Sequence, residues 1–233
     1  MIYVIMCGGN YTKWDEPRQL LHIFGVPIVQ RTIMLLGQCG VDPDDIFIST
    51  NNKVFEQYAP ILSHPNRYEA YGEGNNNGTW TDCFYPTCEP TTYLFGDVVY
   101  SLDAIRTIVE TKTDNIELFA SAPPFSKYYT KPWAEPFALK VMEPSFLRTS
   151  ISLTNNLAKQ GLFRRAPIMW ELWQVITCHT LNDIDYNSYT HINDYTCDVD
   201  SPEDLEKIVV QIKQKVADMS DMAYDDMWRR RNE

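Results

Sequence analysis

Tyr3 to Cys7 is an unbroken apolar run that stops at a glycine pair, Gly8-Gly9. A strand with one wet face alternates apolar and polar residues. A strand without that alternation is covered on both faces, which is the situation in a parallel sheet flanked by helices. The segments that follow fit that demand. Ile28, Thr32, Leu35, Leu36 and Cys39 recur at helical spacing, with Gly40 as the stop. Asp45–Thr50 reads as a strand, and Val54, Phe55, Tyr58, Ile61 and Leu62 as another helical face. Thr92–Phe95 is a short buried strand ending in Gly96-Asp97, and Leu102, Ile105, Ile108 and Val109 mark the helix after it. Ile116–Ala122 and Phe137–Met142 read as further strands, and Pro167–Cys178 as an aromatic-rich helix. Ser201 caps a last helix, with Pro202 at its first position and Leu205, Ile208, Val209, Ile212 and Val216 toward the core. Strand–helix alternation of this kind predicts an α/β fold: a three-layer α/β/α sandwich around a mostly parallel sheet.

Composition narrows the classes. At 44% apolar and 22% charged residues, the chain is an ordinary globular one, and no run approaches the length a membrane helix needs. The net charge of −11 argues against a nucleic-acid polymer as partner, which selects a basic face. A small phosphorylated ligand then requires local cations or a divalent metal. Six cysteines lie scattered, with no C-x-x-C pair and no histidines at zinc spacing, which reads as reduced thiols in a cytoplasmic protein. The four histidines carry no assignable chemistry.

Five segments carry candidate chemistry. A glycine pair at the end of a first strand, Gly8-Gly9-Asn10-Tyr11-Thr12-Lys13, lets backbone N–H groups approach phosphate oxygens, with Lys13 and Arg18 as nearby cations. Gly96-Asp97 ends a central strand, where open α/β sheets bind ligands and where a carboxylate can share Mg²⁺ with phosphate; an Asp there also suits a helix N-cap. Asp198-Val199-Asp200-Ser201-Pro202-Glu203-Asp204 offers two more carboxylates at a helix start. Gly72-Glu73-Gly74-Asn75-Asn76-Asn77-Gly78-Thr79 supplies amides and open backbone for a base edge, or a solvated turn. Lys131-Pro132-Trp133-Ala134-Glu135-Pro136 adds a cation and a carboxylate in a proline-rich loop. Arg164-Arg165 is either an anion site or a solvated pair, and Trp170 and Trp173 are core or dimer contacts.

Taken in order, Gly8-Gly9-x-x-Thr12-Lys13, Pro17-Arg18-Gln19-Leu20, Gly25-x-Pro27-Ile28 and Arg31-Thr32 resemble the N-terminal signature of the nucleotidyltransferases with a GT-A-like fold. These are the sugar-1-phosphate nucleotidylyltransferases, the cytidylyltransferases and the molybdenum-cofactor guanylyl- or cytidylyltransferases. Gly96-Asp97 and the Asp198–Leu205 stretch match further motifs of that group. Two departures stand out. Tyr11 replaces a glycine, and the cations are exchanged in type, Lys13 for arginine and Arg18 for lysine. The resemblance implies one nucleotidyltransferase domain over residues 1–233, with 218–233 as a frayed charged tail. It implies transfer of NMP from an NTP to a sugar phosphate or small phospho-alcohol, with Mg²⁺ on Asp97 and Asp200 and with Lys13 and Arg18 neutralising phosphate. Gly8, Gly9, Asn10, Thr12, Asn77, Gly78, Thr79 and Gly96 would contact nucleotide, and Lys131 and Glu135 the acceptor. Neither a membrane nor a nucleic acid is expected as partner; a homodimer is compatible. A GT-A glycosyltransferase using an NDP-sugar, or a nucleotide-binding relative without catalysis, are the alternatives. Neither base nor acceptor is legible.

Overall fold

The computed structural model describes residues 1–8, 16–63, 80–123 and 133–216. Its centre is a seven-stranded sheet built from β1 (Ile2–Met6), β4 (Ile46–Ser49), β5 (Ile61–Leu62), β6 (Thr91–Phe95), β8 (Ile116–Ser121), β9 (Pro136–Val141) and β10 (Thr190–Ile192), in the order β10-β8-β9-β6-β1-β4-β5. All neighbours pair parallel except β9, which runs against both β6 and β8. Two small ribbons lie outside it: β2 (His22–Ile23) with β3 (Val26–Pro27), and β7 (Val98–Val99) with β11 (Cys197–Asp198). The helices are α1 (Ile28–Gln38), α2 (Leu102–Glu110), α3 (Pro144–Lys159), α4 (Met169–Ile176) and α5 (residues 202–216). α1 packs on α2, α3 packs on α4, and Lys215 of α5 pairs with Asp103 of α2 at 3.1 Å. The result is the expected three-layer α/β sandwich.

The continuous apolar runs behave as two-sided strands. Val4 and Ile5 of β1 are fully buried, and so is every residue of β6. α1 ends as its sequence dictates. Gly40 takes φ +83, Gly40 N–H bonds the Gly37 carbonyl at 3.0 Å, and Val41 N–H reaches back to Leu36 at 3.1 Å. This double closure satisfies carbonyls that the helix leaves open. α2 is capped by Ser101, whose hydroxyl oxygen accepts from Ala104 N–H at 2.9 Å. The same cap is tied to the chain after β10, because Thr196 Oγ1 accepts from Ser101 N–H at 3.0 Å and Asp194 accepts from Ser101 Oγ. Asp97 is therefore not the N-cap of this helix.

Two expectations are corrected. Val54 to Leu62 is not one helix but a 3-10 turn, Lys53–Gln57, followed by β5. Pro60 stands between them and disfavours helical backbone in the residue before it. Of the apolar stripe assigned to α5, Ile208 and Ile212 are buried, but Val216 is 62% exposed in the last described turn. Trp170 and Trp173 are core residues, one of the two roles expected of them, with the Trp173 indole donating to Ser188 Oγ at 2.8 Å. Among the described residues no helix is long and apolar enough to cross a membrane, and all six cysteines are free thiols.

Candidate active site

Parallel strands deliver their loops to one edge, and the site is built there. β1 and β6 pair with Met6 opposite Phe95, so Gly8 and Asp97 leave the sheet side by side. Gly96 makes the exit possible. Its N–H bonds the Met6 carbonyl at 3.1 Å, and a methyl group on its α-carbon would stand 2.5 Å from that oxygen and 2.8 Å from Cys7 Sγ. Any side chain at 96 would force the strands apart or turn Asp97 elsewhere. Cys7 lies behind the carboxylate, and burial, then the charge of Asp97, pushes its thiol pKa up. It is not a thiolate nucleophile.

The second carboxylate comes from 103 positions further along the chain (residue 200 against residue 97). The β7–β11 ribbon sets Val98 opposite Asp198 and Val99 opposite Cys197. Val199 N–H then bonds the Asp97 carbonyl at 2.9 Å, extending the ladder past the ribbon. Asp200 follows, and Ser201 caps α5, its hydroxyl accepting from Asp204 N–H at 3.2 Å. The Ser201-Pro202 helix start predicted from sequence thus has a second effect: it fixes the residue before it.

Arg18 joins the two. It opens a short 3-10 turn, Arg18–Leu20, held in place by Gln19, which is buried beneath Gly96. Arg18 Nη2 lies 2.8 Å from Asp97 Oδ2, while Nη1 donates to Asp200 Oδ1 and, at 2.9 Å, to the Val199 carbonyl. The side chains of Arg18 and Asp97 are 19% and 24% exposed, that of Asp200 51%. At an effective dielectric near 20, unit charges about 4 Å apart attract by about 4 kcal/mol before desolvation is subtracted. One guanidinium therefore holds two carboxylates that would otherwise repel each other.

The two carboxylates suit Mg²⁺. Both are hard oxygen donors, and both converge on a single cation. Among the described residues no cluster of three acidic, histidine or cysteine side chains forms a closed metal cage. An open two-carboxylate site is the kind Mg²⁺ takes when substrate phosphates and water complete its shell. Asp200 is the carboxylate that Arg18 reaches; Asp198 belongs to β11 and sits beside Cys197, whose Sγ is 3.8 Å from it.

Glu135 arrives at the same edge. Ala120 of β8 pairs with Pro136 of β9, and Leu94 of β6 pairs with Ala138. Glu135 N–H donates to Ser121 Oγ at 2.8 Å, and Ser121 N–H to the Glu135 carbonyl at 2.9 Å. Its carboxylate accepts from the Trp133 indole. The buried Tyr100 hydroxyl bonds the carbonyls of Phe95 and Phe137, tying β6 to β9 just below this edge. Burial, then Asp97, raises its pKa. Sequence reasoning gave Tyr100 no role, since only the sheet register puts those two carbonyls together. Arg165 is committed elsewhere, 2.6 Å from the buried Glu171, so it is no open anion site. Gly9, Asn10, Thr12, Lys13, Asn77, Gly78, Thr79 and Lys131 lie outside the described residues.

Solved structures share this architecture. A Bacillus anthracis chain described as a glucose-1-phosphate thymidylyltransferase, in complex with sucrose, matches at TM-score 0.54 and 14% identity, over 90% of this chain and 94% of that one. A CMP:2-keto-3-deoxy-manno-octonic acid synthetase complexed with CTP matches at 0.55 and 14%, over 92% and 98%. The inositol-1-phosphate CTP transferase of T. maritima matches at 0.53 and 12%, over 91% and 95%. No protein-family model and no curated protein matches the sequence. The chain shares its fold with these three solved structures.

Proposed function

We propose that the chain is a nucleotidyltransferase that moves NMP from an NTP to a phosphorylated acceptor and releases pyrophosphate. The observation that carries this reading is the meeting of Arg18, Asp97 and Asp200 at the carboxyl edge of the sheet. That edge is where α/β sheets take ligands. The fold is shared with proteins described as thymidylyl-, cytidylyl- and CMP-transferring enzymes, one of them solved with CTP.

The chemistry follows from charge. An acceptor phosphate oxygen attacks the α-phosphorus of the NTP in line with the leaving pyrophosphate, so no covalent enzyme intermediate is required. Arg18 and Lys13 neutralise the charge that builds on the phosphates, and the backbone from Gly8 through Thr12 cradles them. Asp97 and Asp200 would hold Mg²⁺, which supplies further neutralisation when bound. Gly96 gives the clearance that lets Asp97 face the phosphates. Asn77, Gly78 and Thr79 serve base and ribose. Lys131 takes the acceptor phosphate and Glu135 an acceptor hydroxyl, which favours a sugar phosphate or small phospho-alcohol. Free thiols at all six cysteines support a cytoplasmic setting.

Purified protein with Mg²⁺, offered CTP, UTP, GTP and ATP against a panel of phosphorylated sugars and alcohols, releases pyrophosphate with one preferred base. No release from any combination refutes the reading.

A further inference from the structure

Arg18 holds its partners through a geometry that lysine lacks. One terminal nitrogen faces Asp97 at 2.8 Å, and the other faces Asp200 and the Val199 carbonyl. A planar guanidinium can hold two carboxylates at once in a fixed spacing, whereas an ammonium is a point charge on a flexible stem. The oxygens it holds belong to the same pair that would bind a divalent cation. A guanidinium and a dication on the same pair repel each other, and Arg18 already occupies Oδ2 of Asp97 and Oδ1 of Asp200, so each cation weakens the hold of the other. Metal arriving alone meets a carboxylate pair already neutralised by a side chain only 19% exposed. A triphosphate changes the balance, since it offers the guanidinium anionic oxygens in exchange.

We infer that Arg18, before it meets phosphate, reserves the carboxylate pair: it holds Asp97 and Asp200 in register and weakens divalent-cation binding until nucleotide phosphates draw it away. Metal then binds weakly to nucleotide-free protein and tightly once nucleotide is present. The coupling is reciprocal, so whatever factor nucleotide adds to metal affinity, metal adds to nucleotide affinity. The inference rests on Asp97 and Asp200 being the metal pair, as proposed above.

The test reads metal occupancy and not turnover. Mn²⁺ is titrated into nucleotide-free protein, and the free ion is followed by its paramagnetic resonance signal. Arg18→Gln binds Mn²⁺ about tenfold or more tighter than the wild type, and adding Asp97→Asn to it abolishes the gain. Arg18→Lys, which keeps the charge without the fork, gains about threefold by the same coupling argument. Cooperative thermal melting checks each variant; if Arg18→Gln does not fold, Arg18→Lys decides alone. Wild-type protein binding Mn²⁺ as tightly as the folded Arg18 variants overturns the inference, as does a gain that survives Asp97→Asn. Because no catalysis is measured, a chain that transfers no nucleotide can still pass this test, and an active one can still fail it.

Discussion

Two cations are withdrawn from bulk water at opposite ends of the sheet, by opposite means. Lys140 lies near the end of β9, at the edge where β6 and β8 begin, and is 2% exposed. Its ammonium donates to the carbonyls of Val109 and Thr111 at 3.0 and 2.7 Å, closing the C-terminus of α2. Burial lowers its pKa, against a smaller opposing pull from Glu117. Arg18, at the carboxyl edge, is held mainly by side-chain carboxylates. Backbone carbonyls are fixed partners, and a substrate cannot take their place. Carboxylates can release a cation to phosphate and then accept another. Lys140 is thus part of the frame, while Arg18 is poised to exchange, and what separates them most is partner chemistry and not charge.

The widest gap between the two should appear in activity. Asp97→Asn is expected to cut nucleotidyl transfer about a thousandfold, about 4 kcal/mol, while changing the stability read from urea melts by no more than about 1 kcal/mol. Lys140→Met should do the reverse. It leaves helix-end carbonyls without their donor and costs about 2–4 kcal/mol of stability, with turnover per folded molecule unchanged. A Lys140 variant that folds normally but loses turnover would break the comparison. Gly96→Ala sharpens it, since that position serves frame and site together. It should lose about 1–3 kcal/mol in urea melts through the clash with Met6 and also lose transfer through a displaced Asp97.

The smallest effect belongs to the frame alone. Tyr93 is buried beside Thr87 and Thr91, and desolvation pushes its pKa up to about 12 from the usual 10.0. The folded state then keeps a proton that the unfolded chain releases, so this tyrosine's stabilising contribution is complete below about pH 10 and is lost as pH climbs toward about 12. Near pH 11 the loss is about 1 kcal/mol. Urea melts across that range should show a shallower fall for Tyr93→Phe than for wild type.

Much of the frame was legible because its central strands carry unbroken apolar stretches, Tyr3–Met6 and Tyr93–Phe95 among them. The misses have physical causes. α3 was not anticipated because its buried face includes Ser150 and Thr154 beside Leu147, so the apolar periodicity that announces a helix is absent. The Val54–Leu62 stretch carried a helical pattern, yet Val54 is exposed and Pro60 divides it. β7 and β11 are two residues each, too short for any period. The site was legible in parts. Gly96-Asp97 and Asp198–Asp204 stood out as motifs, and the choice between Asp198 and Asp200 stayed open. Only the pairing of β7 with β11 brings Asp200 to Arg18, and a contact between positions 18 and 200 leaves no local trace in the sequence.

The central claim is that these three residues form the centre of a nucleotidyl transfer. Its most direct test follows the α-phosphate. With NTPs labelled at that position and Mg²⁺ present, the account predicts label in a new acceptor-linked product, in step with pyrophosphate, and none when Asp97 is Asn. Hydrolysis of an NDP-sugar with no pyrophosphate, or label that never leaves the NTP across all four bases and the acceptor panel, would contradict it.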